Sequence, residues 1–426
     1  MKKIISILLT ITMLLGITAT MPLSASAATD SELTYTDKYG EWTYTLNSNG
    51  DGCIITGYDD SMDDIEIPSS INNLPVVEIG GYAFWGYNNI TSIIIPDSVT
   101  TISDYAFFDS DLTSITISDS VIVIESNAFL SCHSMTSINV SQNNKNYSSI
   151  DGVLFNKTQS ELIRYPSRKS LNNYTIPDTV ETIGDYAFEY AYNLIKIIIP
   201  DSVTAIGSGA FLNCWRVTDI TLSKSISNIA YSTFYGCNSL TKITIPDGVT
   251  TIADRAFYDC RNIIRITIPD GVTAIGNEAF SKCNLLVYII IPDSVTTIGS
   301  NAFDSCINLS KVTIPDSVTT IGNYAFNKCY GLKNIIIPNS VTAIGNSAFY
   351  LCKNISDVYY TGSESEWSSI SIKSGNNYLT NANIHFNYGK PVAGDISGDG
   401  TLAVDDVIYV LKYVVGNVEE LTEEQF

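Results

Sequence analysis

The residues with the clearest metal-binding spacing lie near the C-terminus, in a segment that begins at Asp395. Oxygen donors recur there at the alternating positions that let a tight loop surround a hard cation, and Gly400 falls at the sharp turn. The predicted calcium ligands are Asp395, Ser397, Asp399, Thr401 through its backbone carbonyl, and Asp406. Apolar residues at helical spacing follow the loop. The sequence therefore predicts calcium as a cofactor, bound by a loop that leads into a helix.

Cysteine is the second residue type whose spacing allows chemistry. Eight cysteines fall in one column, at positions 132, 214, 237, 260, 283, 306, 329 and 352. In a secreted protein such a set suggests disulfides, and closely spaced thiols suggest a metal site. A disulfide needs converging Cβ vectors, however, whereas neighbours in a parallel stack hold similar orientations. We therefore expect these cysteines to be reduced and to serve as small hydrophobic residues of the core.

Aspartate also recurs in a column, directly after a proline. The column comprises Asp97, Asp178, Asp201, Asp247, Asp270, Asp293 and Asp316. Stacked carboxylates can hold calcium, but a solvent-exposed turn is the favoured interpretation. Because every repeat offers the same Asp, no carboxylate pair stands out for glycoside hydrolysis. The two histidines, His133 and His385, are isolated and form no catalytic or zinc motif. We therefore predict that the protein is not an enzyme.

These columns belong to a repeat that phenylalanine marks most clearly. Phenylalanine occurs at 84, 107, 129, 188, 211, 234, 257, 280, 303, 326 and 349, with steps of 23 residues from 188 onward. In each repeat a Leu-x-x-Ile-x-Ile segment predicts a short strand that ends at a proline, and an Ala-Phe pair places an aromatic ring in the core. One repeat cannot bury these residues alone, so successive repeats must stack. The sequence predicts a repeat solenoid with short strands and irregular or 3-10 return segments.

The repeat resembles a known family, the BspA-type bacterial leucine-rich repeats. The motif that carries the resemblance is I-P-x-x-V-x-x-I-G-x-x-A-F-x-x-C, found in copies across about residues 65–360. The resemblance implies a leucine-rich-repeat β-solenoid. Residues 54–58 with 74–76 resemble the family's N-terminal lead-in, and residues 359–362 with Trp367 and 384–388 resemble its C-terminal cap. Both would cover solenoid edges that otherwise invite strand addition.

The domain organisation follows from these patterns and from the two chain ends. The predicted order is a signal peptide (1–28), an N-terminal cap (29–80), leucine-rich repeats (81–358), a C-terminal cap (359–388), a linker (389–393) and the calcium segment (394–426). The repeat is interrupted between Phe129 and Phe188, where 59 residues replace one step. Residues 152–155 and 162–165 predict an inserted hairpin there, within about residues 140–176.

The outward-facing residues of the strands form the predicted partner-binding surface. The candidates are Lys196, Lys242, Arg265, Tyr288 and Lys311, beside a column of Thr and Ile. Solenoids commonly bind along such extended faces, and a local basic and aromatic strip on an acidic chain is a candidate contact zone. A merely solvated sheet face rich in strand-forming residues is the alternative, and the sequence does not decide between them.

Composition limits the partners and the location. The formal net charge of −21 argues against nucleic acid, whose binding depends on Lys and Arg displacing counterions. No stretch after the signal peptide approaches the roughly 20 apolar residues of a membrane span. We therefore expect a secreted, extracellular protein, with an extracellular ligand on the solenoid.

The C-terminal segment resembles the first repeat of a type I dockerin, which uses an EF-hand-like calcium loop. The resemblance implies docking to a cohesin of a cellulosome-like assembly at the bacterial surface, with contacts near Asp405, Leu411 and Lys412. Ser397 stands where Asn or Asp is usual, and a dockerin has a second such segment, so we expect a partial dockerin with weak calcium binding. Two functions follow: a non-catalytic binding or adhesion protein for a polysaccharide, cell-surface or protein partner, and, as the alternative, a dockerin-borne hydrolase in polysaccharide catabolism. We favour the first.

Overall fold

The computed structural model describes residues 32–59 and 62–389. The predicted signal peptide and the predicted calcium segment lie outside the described residues. Within them the chain winds as a β-solenoid, in which each regular coil contributes one strand to each of two parallel ladders. This confirms the predicted repeat solenoid.

The strands follow one another in chain order. The N-terminal region contains β1 (Leu33–Thr36), β2 (Glu41–Leu46), β3 (Cys53–Tyr58), β4 (Asp64–Glu66), β5 (Ser70–Ile71) and β6 (Leu74–Ile79). The next coils contain β7 (Ser92–Ile94), β8 (Thr101–Ile102), β9 (Ser114–Ile117), β10 (Val123–Ile124) and β11 (Ser137–Val140). The interrupted region contains β12 (Tyr147–Ile150), β13 (Val153–Asn156) and β14 (Glu161–Arg164).

The second part of the solenoid is more regular. Its first coils contain β15 (Asn173–Thr175), β16 (Thr182–Ile183), β17 (Lys196–Ile198), β18 (Ala205–Ile206), β19 (Asp219–Thr221), β20 (Asn228–Ile229), β21 (Lys242–Thr244) and β22 (Thr251–Ile252). The next coils contain β23 (Arg265–Thr267), β24 (Ala274–Ile275), β25 (Tyr288–Ile290), β26 (Thr297–Ile298), β27 (Lys311–Thr313), β28 (Thr320–Ile321), β29 (Asn334–Ile337) and β30 (Ala343–Ile344). The C-terminal part contains β31 (Asp357–Tyr360), α1 (Glu364–Ser369), β32 (Ser371–Ile372), α2 (Asn377–Thr380) and β33 (Asn383–His385).

The Leu-x-x-Ile-x-Ile segment forms the first strand of each coil, as predicted. In β21 the middle residue Ile243 is buried while Lys242 and Thr244 are exposed, because successive side chains of a strand point to opposite faces. β21 pairs in parallel with β23, with Ile243 opposite Ile266. The outward side of this ladder is called the strand face below.

The return segment that carries the phenylalanine is a run of consecutive turns. Residues two before and two after Phe257, namely Arg255 and Asp259, have φ of 57° and 60°. This left-handed geometry is uncommon for residues other than glycine. It lets the Phe257 N–H donate to the carbonyl of Ala279 in the next coil, at 2.8 Å. Of the two predicted alternatives, the return segment is therefore irregular rather than 3-10.

The aromatic rings form a column through the core. Neighbouring rings stack with centroids 5.1–5.5 Å apart from Phe84 to Phe129 and again from Tyr165 to Phe349. Tyr165 thus occupies a phenylalanine position, and its N–H donates to the carbonyl of Ala187 as the phenylalanines do. The interval after Phe129 therefore holds the hairpin and one further coil. The phenylalanine pattern misses this coil because its ring is a tyrosine.

The interruption divides the hydrophobic core into two. β13 pairs in antiparallel fashion with β12 and with β14, so the predicted hairpin is present. Side chains of β13 alternate between the two cores: Leu154 packs with the N-terminal core, and Val153 and Phe155 pack with the C-terminal core. All three are fully buried. We call β13 the dividing strand.

Both ends of the solenoid are covered. At the N-terminal end β1, β2 and β3 form an antiparallel meander, and the fully buried Trp42 lies 6.4 Å from Phe84, at the head of the ring column. At the C-terminal end α1 begins with a capping box of Ser363 and Glu366, and Trp367 packs against Tyr360. β3 includes residues 54–58 and α1 includes Trp367, so each covering segment contains residues that resemble the family's flanks.

Candidate binding surfaces

The predicted calcium and docking residues all belong to the C-terminal segment. The calcium ligands Asp395, Ser397, Asp399, Thr401 and Asp406, and the docking residues Asp405, Leu411 and Lys412, all lie outside the described residues. Among residues 32–59 and 62–389, no three His, Cys, Asp or Glu side chains are grouped as a metal site.

The structure brings four of the five predicted solenoid contacts together on the strand face. Lys242, Arg265, Tyr288 and Lys311 occupy consecutive rungs of one ladder, each directly beside the next. All four side chains are exposed. Their alignment follows from the 23-residue coil, which returns each outward position to the same place one rung further along. We call these four residues the binding strip.

Lys196 does not belong to the binding strip. Asp219 lies on the rung between β17 and the strip, directly beside Lys196, and its carboxylate is 3.1 Å from the Lys196 ammonium. This pair neutralises the charge of Lys196. Within the described part of the chain no acidic side chain forms an ion pair with Lys242, Arg265 or Lys311.

Exposed aliphatic side chains adjoin the binding strip. Ile264 and Val287 directly precede Arg265 and Tyr288, and Ile290 follows two residues after Tyr288; Ile264 and Ile290 are 46% and 58% exposed. Lys242 beside Arg265 also places like charges on neighbouring strands, which destabilises a sheet. Neither feature helps the solenoid to fold, so the strip and its aliphatic neighbours form a candidate contact surface for a partner.

The cysteine column lies inside the core, as expected. All nine cysteines are free and buried. Each thiol from Cys132 onward donates to the carbonyl oxygen of the phenylalanine in the preceding coil, at 3.0–3.3 Å. Burial raises the pKa of Cys132 to about 11 and that of Cys352 to about 12. These two thiols are therefore protonated structural groups and poor nucleophiles.

The aspartate column lies in exposed turns. In the turn at Asp247, the N–H of Val249 donates to the carbonyl of Pro246 at 3.0 Å, and the carboxylate points to solvent. The same hydrogen bond recurs at the turns that contain Asp97, Asp178, Asp201, Asp270, Asp293 and Asp316. This agrees with a role in turn formation. The Asp residues therefore have a local structural role in these turns.

Each histidine has an acidic neighbour. His385 Nε2 lies 2.9 Å from Asp357 on the adjacent strand, and this hydrogen bond is the main cause that lowers the pKa of Asp357. His133 Nε2 lies 3.7 Å from Asp109, and its Nδ1 is hydrogen-bonded to the Tyr192 hydroxyl at 3.0 Å. The contact with Tyr192 bridges the interruption, and linear sequence reasoning missed it.

A buried ion pair lies at the same junction. The Arg164 guanidinium is 2.9 Å from the Glu189 carboxylate, and both side chains are at least nine-tenths buried. Glu189 also accepts hydrogen bonds from the backbone N–H and the hydroxyl of Ser131. Arg164 donates to the Tyr186 carbonyl. The contacts of Glu189 with Ser131 join the two parts of the solenoid.

With this architecture in view, sequence comparison defines the class of protein. The profile described as BspA type leucine rich repeat region matches in six copies, over residues 57–170, 165–287 and 284–387. The chain belongs to this family, which is defined by its repeat and is not a class of enzymes. No curated protein sequence matches the chain. None of the described helices is long and apolar enough to cross a membrane.

Several solved structures are similar to this chain. A leucine-rich repeat protein from Bacteroides ovatus is 25% identical, with coverage of 80% of this chain and 90% of that one and a TM-score of 0.45. A leucine-rich repeat protein from Eubacterium ventriosum is 24% identical over 65% of this chain and 95% of that one, with a TM-score of 0.45. A leucine rich cell surface protein from Faecalibacterium prausnitzii is 24% identical, with coverage of 82% of this chain and 100% of that one and a TM-score of 0.40.

Proposed function

We propose that the chain is a secreted, non-catalytic binding protein that holds a protein partner on its strand face. The observation that carries the proposal is the binding strip, where three unpaired cations and Tyr288 are aligned beside exposed aliphatic side chains. Aromatic and Arg side chains are enriched where protein interfaces are strongest. Of the ligand classes expected from the sequence, a protein fits this mixture of apolar and charged groups better than a polysaccharide.

The partner should carry carboxylates beside apolar side chains. The strip is locally basic on a chain with a net charge of −21, so an acidic partner is attracted at the strip and repelled elsewhere. Repulsion by the rest of the surface would restrict binding to one place. Ile264, Val287 and Ile290 would then be covered by the apolar part of the partner.

Selection from a randomised peptide library displayed on phage tests this proposal. The full chain should retain peptides rich in Asp and Glu next to aliphatic residues, with affinity that falls as salt concentration rises. The triple variant Lys242→Glu, Arg265→Glu, Lys311→Glu should lose this binding.

A matched control changes the total charge equally at another place. Lys328→Glu, Lys353→Glu, Lys373→Glu alters residues away from the strand face and should retain the selected peptides. Equal loss in both triple variants would show a general effect of net charge. Peptides without acidic residues, or unchanged binding by the strip variant, would reject the proposed partner.

We also propose that the C-terminal segment binds calcium and docks the chain to a cohesin of a cellulosome-like assembly. The ligand spacing from Asp395 to Asp406 and the resemblance to a dockerin repeat support this role. Such docking would hold the secreted chain near the bacterial surface and leave the strand face open for its partner.

Calorimetry on the full chain tests the docking proposal. Calcium should give a saturable heat, and a type I cohesin should bind only when calcium is present. Asp395→Ala with Asp399→Ala should abolish both, whereas Asp247→Ala with Asp270→Ala, in the exposed turns, should change neither. Calcium-independent cohesin binding, or no calcium heat, would exclude this role without affecting the proposal for the binding strip.

A further inference from the structure

Four aromatic side chains gather on the surface beside the interruption of the repeat. They are His133, Tyr190, Tyr192 and Trp215, which we call the seam cluster. Trp215 lies 5.7 Å from Tyr190 and 5.5 Å from Tyr192, measured between ring centroids. His133 lies 4.4 Å from Tyr190, edge to face. The interruption thus creates an aromatic surface from residues that are far apart in the chain.

Packing of the coils does not account for this surface. None of the four residues belongs to either hydrophobic core, and Trp215 is 43% exposed. The next three coils are built on the same plan and place Asn238, Arg261 and Asn284 where Trp215 stands. An indole is therefore not required at this position by the fold. No hydrogen bond from its N–H is formed within the described residues.

Charged groups of both signs surround the rings. The Arg168 guanidinium lies over the ring of Tyr192, 4.1 Å from its centroid, and Nε of Arg168 donates to the His133 carbonyl at 3.1 Å. The exposed carboxylate of Asp109 lies 3.7 Å from His133. The guanidinium is thus fixed against an aromatic face, with further N–H donors available, and the Asp109 carboxylate supplies an acceptor beside His133.

This combination matches the surface of a sugar ring. A pyranose presents C–H bonds on its faces and hydroxyl groups around its rim. The negative face of an aromatic ring attracts the C–H bonds, and fixed charged donors and acceptors bind the hydroxyl groups. Asp109 and the net charge of −21 disfavour uronic acids and other anionic sugars.

We propose that the seam cluster is a binding site for a neutral oligosaccharide, with Trp215 as the stacking platform. Tyr192 and Arg168 form the neighbouring wall of the site, and the Asp109 carboxylate accepts a hydrogen bond from a sugar hydroxyl. The site is separate from the binding strip and takes a different class of ligand, so the chain would carry two independent binding surfaces.

Titration of the full chain with neutral hexasaccharides tests the site. Cellohexaose, xylohexaose and mannohexaose are the probes, oligogalacturonate is the anionic comparison, and both heat and tryptophan emission are followed. At least one neutral probe should bind saturably and change the emission. Trp215→Ala should weaken that binding about tenfold, the effect of losing roughly 1.4 kcal/mol. Trp215→Phe, which keeps an aromatic face, should retain most of it.

Two further variants separate this site from general effects. Trp85→Ala removes a tryptophan that is 38% exposed outside the cluster and should leave the affinity unchanged. Arg168→Met keeps the side chain over Tyr192 but removes its donors, so it should weaken binding even if Trp215→Ala proves unstable. Absence of binding to every neutral probe, tighter binding of oligogalacturonate, unchanged affinity in both seam variants, or equal loss in Trp85→Ala would each overturn the proposal. None of these outcomes would contradict the proposal that the binding strip holds an acidic protein partner.

Discussion

One residue of the ring column differs chemically from all the others. Tyr165 stacks 5.1 Å from Phe188, yet its hydroxyl is buried and has no hydrogen-bond partner among the described residues. A buried hydroxyl that loses its water without gaining a partner costs about 1–3 kcal/mol. Burial also raises the pKa of this phenol, because a charged oxygen is disfavoured away from water.

Tyr165→Phe should therefore stabilise the protein. The substitution keeps the ring and removes the unsatisfied oxygen, so the free energy of unfolding should rise by about 1–3 kcal/mol in urea titrations followed by circular dichroism. Phe188→Tyr is the matched control, since it adds a hydroxyl to the neighbouring ring and should lower stability. A Tyr165→Phe variant no more stable than the parent would mean that the hydroxyl is satisfied.

The buried thiols make stability depend on alkaline pH. A cysteine in the unfolded chain ionises near pH 8.5, whereas Cys132 and Cys352 in the folded chain have pKa values of about 11 and about 12. The unfolded state therefore releases protons first as pH rises. The contribution of these buried thiols to the free energy of unfolding is fully present below about pH 8.5. It is lost progressively as pH increases toward the pKa values of the folded state.

Urea titrations between about pH 7.5 and about pH 9.5 measure this effect, below the usual tyrosine pKa of about 10. The free energy of unfolding should fall with rising pH over this interval. A variant with Cys260→Ala and Cys283→Ala should show a shallower fall, because two thiols no longer ionise on unfolding. A free energy that stays constant up to about pH 9.5 would contradict the predicted burial.

The sequence was sufficient to predict that the cysteines are buried, because their column follows the phenylalanine column at a constant distance. It did not indicate the hydrogen bond from each thiol to a phenylalanine carbonyl, for example from Cys260 to Phe234 at 3.0 Å. That bond joins residues of different coils, so it depends on how closely the coils stack. Residue types and spacing alone do not specify that distance.

Among the elements, the strands were predictable and the return segments were not. Alternation of buried and exposed residues in Lys242–Thr244 is a local pattern that sequence reveals directly. The left-handed residues of the return segment, such as Arg255 and Asp259, are not glycines and carry no local signal. Their conformation is imposed by hydrogen bonds to the next coil. The run Val153-Leu154-Phe155 did carry a signal, since continuous apolar residues are typical of a strand buried on both faces.

The buried ion pair that joins β14 to the following coil should be sensitive to loss of one partner. Glu189→Gln leaves the Arg164 guanidinium buried without a counter-charge, which should destabilise the protein by about 3–5 kcal/mol. Urea denaturation would measure the loss. Arg164→Met combined with Glu189→Leu removes both charges and should cost clearly less than Glu189→Gln alone. Equal stability of Glu189→Gln and the parent would show that water reaches the pair.

At the scale of the whole molecule, the two proposed binding surfaces differ in how far the sequence could predict them. The binding strip repeats with the coil, so the regular spacing of Lys242, Arg265, Tyr288 and Lys311 was enough to predict it. The spacing also predicted Lys196 as a member, and only the structure shows that Asp219 pairs with Lys196 and so excludes it from the strip. The seam cluster depends on the interruption, which brings His133 next to Tyr192 across 59 residues. No periodic pattern predicts such a contact.

The dividing strand also predicts how the molecule unfolds. Coils of a solenoid contact only their neighbours, so stability is transmitted from one interface to the next. Here the ring column is continuous on each side of β13, and the two hydrophobic cores are separate. Polar contacts cross the junction between them, such as the hydrogen bonds from Ser131 to Glu189. Such a junction transmits cooperativity less well than stacked aromatic rings, and the N-terminal core has fewer residues to bury.

We therefore expect the solenoid to unfold in two steps, the N-terminal part first. Hydrogen exchange followed by mass spectrometry at increasing urea concentrations should place backbone amides of residues 42–138 in one group and those of residues 173–358 in a second, better protected group. Glu189→Gln should widen the separation because it weakens the junction. Leu154→Ala should lower protection mainly in the first group and Phe155→Ala mainly in the second, although the two residues are adjacent. A single group with uniform protection in the parent and in all three variants would show that β13 transmits cooperativity as well as any regular coil.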